Sequence, residues 1–113
     1  MYAGILDEGE AMMPPAIEFV IMALCADYSR RAEVIESKNA TYRILMEYRF
    51  LNYRMLGAAT EIAGTRDALL FIKDIGSGVG YAASELWSLS EAIYKDRKRE
   101  VKRNIARRLC LYE

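Results

Sequence analysis

The segment "KDIGSGVGYAASELWSLSE", residues 73–91, decides how the second half of this chain folds. Three glycines fall within five positions, at 76, 78 and 80, and a run with helical spacing follows them. Such a stretch can be a phosphate-binding loop, a flexible helix cap, or the turn between the two helices of a helix-turn-helix. The residues on either side help to choose among these interpretations.

The flanking residues exclude a nucleotide-binding loop. A Walker loop follows a buried strand and ends in Lys followed by Ser or Thr, whereas no Lys follows these glycines and the preceding segment is helical in pattern. The glycine spacing also differs from the dinucleotide-binding fingerprint, and no strand–helix–strand unit surrounds it. Two interpretations stay open: a helix cap with a loose loop, and a helix-turn-helix.

Helical periodicity extends through the rest of the chain, and no stretch alternates apolar and polar residues long enough to indicate a strand. We predict an all-α fold, a compact bundle of four to five helices with a helix-turn-helix-like C-terminal half. Residues 14–113 would form a single helical domain behind a loose acidic leader, residues 1–13. Asn39 or Thr41 is expected to cap the second helix and Ser90 the last one. Gly64 is expected to end the second helix as a left-handed cap, and Gly76 to close the third. The helices are expected at about 15–37, 41–63, 65–75, 81–89 and 91–110.

The residue types present argue against an enzyme. The chain has no histidine, which excludes Ser-His-Asp and Cys-His catalysis and most zinc sites. Cys25 and Cys110 are too far apart in sequence for a CxxC site. The carboxylate groups at 7–10 and 33–36 lack apolar walls that would raise their pKa for acid–base work. We therefore predict no catalytic residue, no metal site and no cofactor.

Sequence features that direct a protein to a membrane or out of the cell are also missing. The N-terminal residues are acidic where a signal peptide is basic. The longest apolar run, residues 16–26, contains Glu18 and is too short to span a bilayer. We expect a cytoplasmic protein in which both Cys25 and Cys110 are buried, reduced thiols.

The charge is unevenly distributed although the formal net charge is zero. Residues 94–110 hold eight bases and two acids, whereas residues 1–29 hold five acids and no base. Five of these bases recur at helical spacing and form one continuous face beside an apolar stripe. Such a face can neutralise several phosphates, although a merely solvated helix face is the alternative interpretation. The five are Lys95, Lys98, Arg99, Lys102 and Arg103.

Three short segments resemble one family. "VGYAASEL", residues 79–86, resembles a segment of the sigma-factor region-4-like helix-turn-helix proteins of bacteriophages that infect Gram-positive bacteria. "LMEYRFLN", residues 45–52, resembles their opening segment, and "SEAIYKDRKREVKRNIARRLCL", residues 90–111, resembles their closing basic helix. The resemblance implies a DNA-reading helix that begins near Tyr81 and carries Ser84 in its first turns. The segment departs from the family in carrying Glu85 and no Arg, Lys, Asn or Gln.

We therefore predict a non-enzymatic, phage-derived DNA-binding protein that regulates transcription, with double-stranded DNA as its partner. The alternative is a small phage module that inhibits a host nucleic-acid machine, as anti-CRISPR proteins do, through a host nucleic-acid-binding protein. A structural adaptor of virion assembly is a third possibility. The eight tyrosines favour a homodimer through helices 15–37 and 41–63, with surface tyrosines on a monomer as the alternative. The predicted nucleic-acid contacts are Tyr81, Ser84, Lys95, Lys98, Arg99, Lys102 and Arg103.

Overall fold

A computed structural model describes residues 13–112 and shows five α-helices and no strand within that range. This confirms the predicted all-α fold. The predicted leader lies outside the described residues except for Met13, which is only 5% exposed and packs into the core. The assignment of Met13 to a loose leader was therefore wrong. The helices are α1 (Pro15–Ala26), α2 (Tyr28–Ser37), α3 (Tyr42–Ala63), α4 (Thr65–Ser77) and α5 (Glu91–Arg108), and Tyr81–Ala83 form one 3-10 turn.

The predicted helix over 15–37 is divided at Asp27 into α1 and α2. Backbone hydrogen bonds continue through the break, because the N–H of Asp27 donates to Ala23 and its carbonyl accepts from Arg31. The carboxylate of Asp27 accepts from Arg30 at 2.7 and 2.8 Å and from Arg31 at 3.2 Å. These charge-assisted bonds lower the pKa of Asp27, and the bond to Arg30 is their largest contribution. The break is thus a local adjustment held by side chains.

Side-chain caps fix the starts of the two longest helices, as their sequences predict. The hydroxyl of Thr41 accepts the N–H of Ile44 at 3.3 Å, and that of Ser90 accepts the N–H of Ile93 at 3.2 Å. Gly64 ends α3 with a positive φ of 86°, but its ψ of 161° lies outside the left-handed helical region that we expected. An extended ψ at Gly64 lets the chain turn directly into α4.

The core is formed where α3 packs against α2, α4 and α5, and where α1 packs against α4. The rings of Phe71 and Tyr94 stack at 5.5 Å between centroids, and Tyr81 packs against Tyr94 at 5.4 Å. Arg31, which is only 2% exposed, donates to Asn52 at 2.7 Å and to the carbonyl of Leu24 at 2.8 Å. The largest fully buried side chains are Tyr94, Phe71, Ile21, Met55, Ile72, Ile105 and Val101.

The first glycine of the decisive segment is a helix contact and not a helix end. Gly76 lies inside α4, and a Cβ there would approach the backbone nitrogen of Ala26 to 2.6 Å and the carbonyl carbon of Cys25 to 2.7 Å. Only glycine allows α4 and α1 to approach this closely. Gly78, with φ 73° and ψ 16°, is the left-handed C-cap of α4. The prediction that Gly76 closes the helix was wrong by two residues.

The predicted helix over 81–89 does not form. After the 3-10 turn the backbone of Ser84 is extended, with φ −84° and ψ 154°. The hydroxyl of Tyr81 donates to the carbonyls of Trp87 and Leu89, and that of Ser84 accepts the N–H of Leu86 at 2.9 Å. These side-chain bonds compete with the helical pattern for the same backbone groups. The second helix of the predicted helix-turn-helix is therefore absent from residues 78–90.

Two further features bear on the predictions from composition. Cys25 is buried as expected, but Cys110 is exposed, because it follows the last turn of α5. The expectation of two buried thiols is corrected accordingly. None of the helices in residues 13–112 combines the length and the apolar character that crossing a bilayer would require.

Candidate nucleic-acid interface

One concave cleft of ≈ 370 Å³ collects most of the predicted contact residues. Its walls come from the middle of α5, the start of α1 and the connection between α4 and α5. All five cations predicted on one face of α5 line it, together with Tyr81 and the core residue Tyr94. The sequence-based grouping of these side chains is therefore reproduced in space. The cations are Lys95, Lys98, Arg99, Lys102 and Arg103.

Three of the cations are held by carboxylates at the edges of the cleft. Lys95 pairs with Glu91 at 3.0 Å, one turn earlier on α5. Arg99 donates to Asp96, three residues earlier on α5. Lys102 pairs across the bundle with Glu18 of α1 at 3.1 Å. The pairs of Lys95 and Arg99 are exposed and contribute little free energy, so these two cations can exchange their carboxylates for a phosphate at small cost. The pair between Lys102 and Glu18 is partly buried.

Lys98 is a partly buried cation in the wall of the cleft. Its ammonium donates to the carbonyl of Val79 at 2.6 Å and lies 5.5 Å from the ring centroid of Tyr94. Burial, and after it the nearby charge of Lys102, lowers the pKa of Lys98. A cation that is destabilised by burial and by a like charge gains when an anion enters the cleft. The electrostatics of Lys98 therefore favour an anionic ligand.

Arg103 adds an unsatisfied donor to the same wall. Its Nε is buried and has no hydrogen-bond acceptor within residues 13–112. An unpaired buried donor costs about 1–3 kcal/mol. If the guanidinium rotates toward an anion in the cleft, Nε gains an acceptor and recovers part of that free energy. The guanidinium can then make a bidentate hydrogen bond to a phosphate.

Two residues of the connection, Tyr81 and Ser84, were predicted to contact nucleic acid, and the structure gives them different surroundings. Tyr81 lines the cleft, but its hydroxyl is already bonded to two backbone carbonyls, so only its ring faces a ligand. Ser84 is 8% exposed, and its hydroxyl donates to Asp74 at 2.5 Å. Tyr94 donates to the same carboxylate oxygen at 2.9 Å. The prediction that Ser84 reaches bases or phosphates is corrected: Ser84 belongs to a buried hydrogen-bond network.

An apolar groove of ≈ 390 Å³ continues from the cationic cleft and shares Lys98 and Lys102 with it. Phe19, which is 73% exposed, and Met22 contribute its apolar surface. The sequence pattern did not reveal that α1 completes either site, because Glu18 and Lys102 are separated by 84 positions. The only available signal was the contrast between an acidic beginning and a basic end of the chain.

Within residues 13–112 no group of three or more His, Cys, Asp or Glu side chains is placed to hold a metal ion. No protein-family model matches the chain, and neither the curated proteins nor the solved structures contain a match. What the protein does is therefore inferred from its own residues.

Proposed function

We propose that the protein is a cytoplasmic, non-enzymatic DNA-binding protein that regulates transcription, and that it grips duplex phosphates in the cationic cleft. The observation that carries the proposal is the convergence of five cations on one cleft of ≈ 370 Å³. The resemblance of residues 45–52 and 90–111 to region-4-like proteins is the reason to choose DNA among anionic partners, although the relationship itself stays a prediction. The helix-turn-helix is not part of this proposal, because its second helix is absent.

Binding would proceed mainly through the phosphate backbone. Each cation that meets a phosphate releases condensed counterions from the duplex, so affinity falls steeply as salt is added. The two arginines can each make paired hydrogen bonds to phosphate oxygens, which fixes their orientation. Contacts of this kind position a protein on DNA but carry no base sequence. Any sequence preference would come from the exposed first turns of α5 or from DNA shape.

The exposed first turns of α5 are suited to a groove. Ser90 caps the helix, and Glu91, Ala92 and Ile93 are exposed beside Lys95. Trp87, 75% exposed, precedes them on a connection that the Tyr81 hydroxyl holds in place. An exposed aromatic residue on a fixed loop beside cations can stack on a base or wedge between base steps.

The direct test replaces two cations of the cleft. Arg99→Glu combined with Lys102→Glu should weaken binding to a random-sequence duplex by about a hundredfold and reduce the salt slope by about two, because two phosphate contacts are lost. Fluorescence anisotropy at several salt concentrations measures both quantities. Circular dichroism checks that helicity is unchanged.

The matched control makes the same change of charge outside the cleft. Arg49→Glu combined with Arg66→Glu alters two exposed arginines that do not line it, and should leave most of the affinity. Arg99→Gln combined with Lys102→Gln removes the same charges but places no second carboxylate beside Glu18. This second cleft variant therefore provides the test if the glutamate variant does not fold. Unchanged duplex affinity in both cleft variants, with helicity intact, would refute phosphate binding by the cleft.

Selection from a random duplex library at about 150 mM salt, where non-specific binding is weak, then tests sequence preference. An enriched motif supports a regulator with an operator. A pool without enrichment, from a protein that binds duplex only at low salt, argues against transcriptional regulation.

The apolar groove favours a second candidate function. Phe19, Met22 and Ile75 lead directly into the cationic cleft, and this combination matches an acidic protein segment with an apolar anchor better than it matches a duplex. The second candidate is therefore an inhibitor that binds such a segment of a nucleic-acid-handling protein. Phe19→Asp separates the two candidates, because it should abolish binding to a protein partner and change duplex affinity little.

A further inference from the structure

The side of α3 that faces away from the core is an exposed apolar row. Tyr42, Phe50 and Tyr53 are 77%, 61% and 79% exposed, and Met46 and Leu56 are 44% and 36% exposed. These residues recur at helical spacing on the side opposite the buried residues of α3, which include Met55 and Ala59. We call this set, together with Gly57 and Thr60, the α3 face.

The apolar area of the α3 face is large for a chain of this size. An aromatic side chain can bury 150–250 Å², so the exposed parts of its five large side chains amount to roughly 500–600 Å². A contiguous patch of about that size is the upper limit seen on monomers and commonly marks an interaction site. It also supplies most of the roughly 800 Å² that each partner contributes to a standard interface.

The shape of the α3 face is self-complementary. Gly57 lies in a groove of ≈ 660 Å³, whose walls include Phe50 and Tyr53. If two α3 helices pack antiparallel about the midpoint between Phe50 and Tyr53, each Phe50 meets Tyr53 of the second copy. The same symmetry places Met46 of each copy over Gly57 of the other. The aromatic rings of Phe50 and Tyr53 thus meet at the centre of the interface, and Met46 fills the groove at Gly57 on either side.

The charged flank of the α3 face has the same symmetry. Arg43, Glu47, Arg54 and Glu61 follow one another along one side of the helix. Arg43 donates to Glu47 at 3.3 Å, and Arg54 lies 4.8 Å from the ring centroid of Phe50. In the register that pairs Phe50 with Tyr53, Arg43 comes within one turn of Glu61 of the second copy, and Glu47 within one turn of Arg54. Glu61 also accepts from Arg108 of its own chain at 2.8 Å. An antiparallel two-fold axis places the charged flanks of the two copies on the same side of the interface and therefore joins opposite charges.

We propose that the α3 face binds a second copy of this chain in an antiparallel two-fold dimer. A symmetric dimer uses one patch on both subunits, and the α3 face meets that condition in area, shape and charge. The proposal does not depend on DNA binding, since none of the α3 face lines the cationic cleft.

Sedimentation equilibrium of the full chain tests the dimer. The natural protein should dimerise with a dissociation constant of about 1–10 μM, as a modest interface gives. Phe50→Asp combined with Tyr53→Asp should remove association entirely, because like charges would then meet at the centre of the interface. Trp87→Asp is the matched control, because Trp87 is 75% exposed but lies outside α3, and it should leave the dimer intact. A natural protein that stays monomeric at about 100 μM, or an α3 variant that still dimerises, would overturn the proposal.

Charge reversal tests the antiparallel pairing. Glu47→Arg alone and Arg54→Glu alone should each weaken the dimer several-fold, because two-fold symmetry introduces each repulsion twice. The combined variant restores opposite charges across an antiparallel interface only and should recover most of the natural affinity. Failure of the combined variant to recover would refute this pairing. Duplex binding by a monomeric, folded α3 variant distinguishes loss of the dimer from loss of the cleft.

Discussion

The connection between α4 and α5 and the middle of α5 were both predicted to contact nucleic acid, and the structure uses them in opposite ways. Ser84 of the connection directs its hydroxyl inward to Asp74, which also accepts from Tyr94. Lys95 and Arg99 of α5 are exposed at the rim of a cleft. Polar groups in the connection stabilise the fold, whereas charged groups on α5 are free to exchange partners.

Residue type alone therefore does not identify a contact residue. A hydroxyl can be satisfied inside the protein by one acceptor, so burial costs it little. Burying an ammonium or guanidinium group is far more costly, so a row of such groups on a helix predicts surface exposure reliably. Substitutions of the buried polar network around Ser84 should therefore change stability and leave duplex affinity per folded molecule intact, and substitutions of the α5 cations should do the reverse.

The largest expected effect comes from comparing two glycines of the segment 73–91: Gly76 inside α4 and Gly80 in the connection. Gly76→Ala places a Cβ 2.6–2.7 Å from the backbone of Cys25 and Ala26, and should lower the free energy of unfolding by about 3 kcal/mol. The gain in helix propensity, about 1 kcal/mol, does not offset this clash. Chemical denaturation followed by circular dichroism measures the change.

Gly80→Ala is the control for that variant. No atom lies within 4 Å of a Cβ at Gly80, and its φ of −98° suits any residue. The free energy of unfolding should change by less than about 0.5 kcal/mol. Equal effects of the two substitutions would show that α1 and α4 are not in close contact at Gly76.

The next effect concerns the buried network of the connection. Asp74→Ala leaves the hydroxyls of Ser84 and Tyr94 without their acceptor and should cost about 2–3 kcal/mol, whereas Ser84→Ala removes one bond and should cost about 1 kcal/mol. Thermal and denaturant unfolding compare the two variants. Duplex affinity measured under folding conditions should be unchanged for Ser84→Ala. A loss of affinity without a loss of stability would return Ser84 to the nucleic-acid interface.

The sequence predicted the long helices well because local signals determine them. Thr41 and Ser90 are capping residues in front of apolar periodic runs, and both helices begin where these residues place them. The segment 81–89 also has helical spacing, but the structure overrides it through tertiary bonds. The hydroxyl of Tyr81 donates to the carbonyl of Leu89, and that of Ser84 donates to Asp74. No local sequence pattern indicates either bond.

The candidate site was likewise predictable only where local spacing determines it. Five cations on one side of a helix follow from spacing alone, and the structure brings all five to the cleft. That Glu18 closes the cleft from α1 depends on how two distant helices pack, which spacing does not encode. The helix contact at Gly76 was missed for the same reason, since a glycine late in a helix also has the sequence signature of a cap.

The smallest expected effect is on thiol reactivity. It compares Cys25, at the contact between α1 and α4, with Cys110, which follows α5. Cys25 lies against Gly76, and burial raises its pKa to about 12, although Arg31 and Lys102 partly oppose the shift. Cys110 follows α5 and is exposed. At pH 8 an aromatic disulfide reagent should modify Cys110 rapidly and Cys25 only through transient opening of the contact between α1 and α4, because the thiolate is the reactive form. Gly76→Ala should accelerate modification of Cys25 and leave that of Cys110 unchanged. Equal rates for both cysteines in the natural protein would contradict the close contact, whereas selective acceleration in the variant would place the opening at Gly76.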